Sequence, residues 1–191
     1  GNFSFSNIAS LSQYGHVFVL SIAFALIATV VCLLIGYPLA YFMSKQSPRA
    51  QKILMVLVML PMWCNLLIRT YALMALLDNG GLLNSWLTSL GLDKLSIVGT
   101  NFGVILGMIY DFLPYMVLPI FTAMTKLDPK FIEASQDLGC TSWQTMTRVI
   151  MPLTASGVIS GITMVFVPSI STFYISQKLG AGKIDLVGDT I

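Results

Sequence analysis

Two charged side chains stand inside long apolar runs. Arg69 lies in Leu66-Leu67-Ile68-Arg69-Thr70-Tyr71, and Asp111 lies in Met108-Ile109-Tyr110-Asp111-Phe112-Leu113-Pro114-Tyr115. A charge in mid-bilayer costs at least about 2.5 kcal/mol on insertion scales, so such a residue has a partner or a role. Two readings stand. In the first, Arg69 and Asp111 compensate each other, or each finds backbone partners; the helical rise puts them about 6 Å apart in depth, within an arginine's reach. In the second, Asp111 faces a cation. Tyr110, Tyr115, Phe173 and Tyr174 add aromatic faces nearby, and a carboxylate with aromatic rings is the chemistry that holds an ammonium group. Aromatic residues at helical spacing also serve as plain packing or interface anchors.

Other chemistry is excluded more simply. His16 stands alone, and Cys32, Cys64 and Cys140 have no metal or disulfide spacing. Gly180-Ala181-Gly182-Lys183 looks superficially like a phosphate loop, but the earlier Gly is missing and Ile184 replaces the Ser or Thr. No nucleotide role, cofactor or catalytic group is expected.

The longest polar stretch, Lys126 to Pro152, carries a second candidate site. Asp128 can cap a helix with Pro129 at its first position. Gly139 suits the left-handed residue that ends it. Thr141 with Gln144 fits a capping box for a second helix. The spacing therefore predicts two short helices joined at a glycine, outside the bilayer. Phe131, Ala134, Ser135 and Leu138 fall on one face, and Lys130, Glu133 and Asp137 on the other. That stripe either packs on the chain's own spans or docks a partner. Lys126, Lys130 and Arg148 balance Asp128, Glu133 and Asp137, so the loop lacks the basic face that nucleic acid requires.

Glu133-Ala134-Ser135, Gly139, and Val149, Met151 and Pro152 resemble the Glu-Ala-Ala…Gly…Ile-x-Leu-Pro loop of ABC-importer permease subunits. Ser135, Val149 and Met151 depart from it conservatively. The resemblance implies a cytoplasmic coupling loop over 125–151, in which Phe131, Glu133, Ala134, Ser135, Leu138, Gly139 and Pro152 engage a separate ATPase subunit. It also implies a second permease subunit and an extracytoplasmic substrate-binding protein. Leu60-Pro61-Met62-Trp63, Leu67 to Ala72, Asp78 to Asn84, Asp111 to Met116 and Thr172 to Ser176 are most similar to the polyamine (spermidine/putrescine) branch, in its B-type subunit. Permeases for iron, thiamine or oxyanions share the loop. A non-transporting scaffold or sensor would instead lack polar lining.

The elements that must position these residues are membrane helices. Hydrophobic residues make up 56% of the 191-residue chain, charged residues 9%, and mean hydropathy is +0.84; soluble domains carry about 25% charged residues. The fold class expected is all-α, a polytopic bundle of the type I ABC-importer permease kind, forming one domain over 1–191. Spans are read at about 16–43, 53–77, 99–124 and 150–176, each meeting the length of ~20 apolar residues needed to cross. Lys45, Arg49, Lys52, Lys126, Lys130 and Arg148 lie on one side and Lys94, Lys178 and Lys183 on the other. This places the 44–52 and 125–149 loops in the cytoplasm, and the resemblance implies that the membrane is a bacterial inner membrane. The resemblance implies further spans before and after, so a fragment is expected.

Pro38, Pro61, Pro114, Pro119 and Pro168 interrupt or adjoin the runs. Gly99, Gly103 and Gly107, and Gly157 and Gly161, repeat every four residues as close-packing seams. Asp78-Asn79-Gly80-Gly81 reads as a tight turn, and 82–95 as a short amphipathic helix bearing Leu83, Trp86, Leu87 and Leu90 on one face.

Overall fold

A computed structural model describes residues 6–93 and 96–171, with side chains described from Val19 onward. Its elements are helical: α1 (Ser6–Ser44), α2 (Pro48–Trp63), α3 (Leu66–Leu77), α4 (Leu82–Ser89), α5 (Asn101–Thr125), α6 (Pro129–Asp137), α7 (Ser142–Thr145), a π-turn (Met146–Ile150), α8 (Met151–Leu153) and α9 (Ala155–Ser171).

Among the described residues, three helical stretches, Val19–Ser44, Leu66–Ser89 and Asn101–Thr125, are long and apolar enough to cross a membrane. Ser142–Leu153 with Ala155–Ser171 makes a fourth if its bent pair counts as one span. The apolar run 53–77 is two helices, not one. Pro61 brings no N–H to the ladder, and Asn65 caps a new start by accepting from Leu67 N at 2.8 Å.

The described residues gather into two units. The first holds the chain up to Val30, Met62–Asp111 and the stretch from Phe166. Here α3 runs into α4 through the expected turn, with Gly81 N donating to Asp78 O at 2.8 Å and Asn84 donating to the same carbonyl at 3.0 Å. A side chain at position 81 would meet Ala75 O at 2.5 Å, so only glycine fits this close approach.

The second unit holds Val31–Pro61 and Phe112–Val165. Its core includes Cys32, Ala40, Met43, Met116, Val117, Ile120 and Val165, all buried. The expected Gly157–Gly161 seam is present. A Cβ at 157 would stand 2.6 Å from Ala123 Cβ and 2.7 Å from Pro119 O, and one at 161 would stand 2.8 Å from Met116 Sδ. These glycines let α9 lie directly on α5. The seam expected on α5 itself differs. Gly99 precedes the helix and has φ +84°, and a Cβ at Gly103 would collide with Ile97 O. Both serve the turn that leads into α5 rather than a contact between helices.

Candidate functional site

The polar loop forms as its punctuation predicts. The Asp128 side chain accepts from Lys130 N at 3.0 Å, and Pro129 opens α6. Gly139 takes φ +82°, and its N–H and that of Cys140 close the helix end on Gln136 O and Ser135 O at 2.9 and 3.1 Å. Thr141 and Gln144 complete both bonds of the capping box, at 2.9 and 3.4 Å. After α7 the backbone widens into the π-turn.

The face of α6 is narrower than the sequence stripe. Phe131 is 55% exposed and Leu138 85%, while Ala134, Glu133 and Gly139 are also on the surface. Ser135 is not: it is buried and turned inward, its hydroxyl 3.0 Å from that of Thr145 and donating to Ile132 O at 2.7 Å. Its role is to pin α6 onto α7, because a buried hydroxyl in the stripe needs a polar partner and Thr145 supplies one. Trp143, 74% exposed on α7, adds a large apolar side chain that periodicity alone did not single out. A lone Trp in a polar loop was the available signal. Pro152 is exposed in α8, just before a sharp bend. Under α6, a cleft of about 330 Å³ is bordered by Tyr41, Lys45, Gln51, Thr125, Pro129 and Ile132.

The intramembrane charges lie in the first unit and take the compensated reading. Arg69 Nε pairs with Asp111 Oδ1, both residues being buried, and Arg69 donates to the Asp111 backbone carbonyl at 3.3 Å. Thr70, also fully buried, donates to Asp111 Oδ2 at 3.3 Å, a partner the sequence reading passed over. The Arg69 guanidinium carbon lies 5.9 Å from the centre of the half-exposed Tyr110 ring, so that ring faces an internal cation. Of the two readings of Asp111, its pairing with the chain's own guanidinium is the one present here. Tyr115 packs beside Phe112, ring centres 6.3 Å apart. Phe173 and Tyr174 lie outside the described residues.

The sequence that builds these elements is similar to those of known proteins. Residues 33–191 match the family model of the binding-protein-dependent transport system inner membrane component. The chain belongs to that family. Its fold is that of type I ABC permeases, and it is a multi-pass membrane protein.

Several relatives are named more narrowly than the family. The spermidine/putrescine transport system permease protein PotB of Haemophilus influenzae is 42% identical over 180 residues, covering 93% of this chain and 63% of the relative. Its namesake from Salmonella typhimurium is 39% identical over 193 aligned positions, covering 99% and 67%. The inner membrane ABC transporter permease protein YdcU of Escherichia coli is 30% identical over 174 residues, covering 84% and 56%. This family member thus spans about two thirds of the length of its PotB relatives.

Proposed function

We propose that this chain is a permease subunit of an ATP-driven polyamine importer in a bacterial inner membrane. It would form the pathway with a second permease, receive cargo from an extracytoplasmic binding protein and couple to a separate ATPase. The chain itself hydrolyses nothing.

The observation that carries the coupling role is α6. A short, doubly capped helix keeps Phe131 and Leu138 exposed, on a loop that leads directly into a span. Large apolar side chains held outward on a rigid element are the anchors a partner's groove selects. Glu133 stands beside them at the surface, and Gly139 fixes the angle at which the helix ends. Movement of α6 by the ATPase would rock the spans between inward and outward openings. The 42% identity to a spermidine/putrescine permease supports polyamines as cargo. The lysines and arginines within the loops at 44–52 and 125–149 support a cytoplasmic side for α6.

The test is reconstitution of the full-length protein with its partner subunits in proteoliposomes. Spermidine or putrescine delivered by the binding protein is expected to stimulate ATP hydrolysis and to accumulate inside. Glu133→Lys and Gly139→Asp are expected to abolish both while the permease still inserts. Uptake of an oxyanion or ferric ion in place of polyamine would reassign the cargo. Unchanged transport in both variants would remove α6 from the coupling role.

A further inference from the structure

The joint between the coupling loop and α9 carries a hydrogen bond to α1. Thr154 sits at a 66° bend between Ser142–Leu153 and Ala155–Ser171, with φ −95° and ψ 5°, outside the helical region. It is fully buried. Its hydroxyl lies 2.8 Å from Ile150 O, the carbonyl four residues back, and 3.3 Å from Met151 O. A threonine bonded in this way bends a helix. The same hydroxyl lies 3.1 Å from the hydroxyl of Tyr37 on α1. One proton goes to Ile150 O, so Tyr37 is the donor across the gap.

We propose that the Tyr37–Thr154 hydroxyl pair is a latch that holds this joint bent and ties it to α1. Force on the coupling loop then reaches α1 and α9 together. The inference deepens the permease reading and rests on it; Tyr37 and Thr154 are positioning residues.

Three features make this joint the place where the path yields. Below it, Gly157 presses against Ala123 and Pro119, so the start of α9 is clamped to α5. Above it, Pro152 offers no N–H to the carbonyl four residues back, and the Met146–Ile150 backbone is wound wide. Beside it, an apolar cavity of about 410 Å³ is bordered by Leu33, Leu34, Tyr37, Met151, Ala155 and Ile159, which leaves room for the joint to swing. Straightening the joint would withdraw Thr154 and leave the nearly buried Tyr37 hydroxyl facing those apolar walls. A buried donor without a partner is costly, so bend and latch stabilise each other.

The experiment uses the full-length permease in its assembled complex, with native cysteines replaced by serine and spin labels at Ser142→Cys and Ser160→Cys. Distances between the labels are measured alongside polyamine transported per ATP. Tyr37→Phe and Thr154→Val are each expected to shift the bent population by about three- to tenfold, the equivalent of one hydrogen bond. The double variant is expected to shift it no further, since the two residues share one interaction. Thr154→Ser is expected to keep both the distance and the coupling ratio. Tyr37→Phe, which retains the ring, carries the test if Thr154→Val does not fold. An unchanged distance distribution in Tyr37→Phe, or additive shifts in the double variant, would overturn the latch. A complex that moves no polyamine in its unmutated form, while the distances shift as expected, would instead count against the permease reading.

Discussion

At the scale of single residues, the pairing of Arg69 with Asp111 has consequences that can be measured. Both are buried, with Thr70 on the second carboxylate oxygen. Removing one partner strands the other charge in a medium that cannot solvate it. Arg69→Ala or Asp111→Ala is expected to cost about 3–5 kcal/mol, read as a fall in the thermal unfolding midpoint of the detergent-solubilised protein. Arg69→Met with Asp111→Leu together is expected to recover most of that loss. If the double variant were as unstable as either single one, the pair would not be the reason for the penalty. The sequence reached the two residues because charges in apolar runs are conspicuous, and their depths already allowed a pair. It could not choose between pair and pathway, since that depends on which side of each helix faces the other. The burial of Ser135 was hidden for the same kind of reason. Its place in the i, i+3, i+4, i+7 stripe is right, but its hydroxyl is drawn inward by Thr145, ten residues away.

Among the elements, the helix ends were the most legible because each is written in local chemistry. Asp128, Pro129, Gly139, Thr141 and Gln144 all act where their side-chain and backbone preferences place them. Gly139→Val is accordingly expected to strain the α6–α7 corner. The site has open space, so the cost lies in its φ of +82° alone, at least about 1–2 kcal/mol. Faster backbone amide exchange over 135–141 would report it; unaltered protection would contradict it. The glycines on α9 act differently. Gly157→Ala is expected to destabilise by about 1–3 kcal/mol, because the methyl meets a helix carbonyl and Ala123. Gly161→Ala should cost less, because the flexible Met116 side chain can yield. Equal thermal shifts for the two would contradict this account. Less legible was the break at Asn65, where an apolar run over 53–77 hid a side-chain cap. The contact of Thr154 with Tyr37 was hidden for a different cause, since the two lie 117 residues apart.

For the molecule as a whole, composition alone was enough to require a membrane, and the loop spacing was enough to reach the family that the match over 33–191 shows. The polyamine reading came from the resemblance of stretches such as Asp111 to Met116, not from a binding site. The two intramembrane charges satisfy each other, and the aromatic rings at 173 and 174 fall outside the described residues. The coupling assignment places a cytosolic partner on α6, and one cross-linking measurement addresses it directly. Cys64 is exposed and Cys140 half-buried, so both are first replaced by serine. Leu138→Cys is then introduced into the full-length permease, and the assembled complex is treated with a short thiol cross-linker. The account predicts a covalent product between this position and the ATPase subunit, together with labelling by an impermeant thiol reagent only in inside-out vesicles. Labelling from the cell exterior, or an assembled, active complex in which Leu138→Cys never reaches the ATPase, would contradict it.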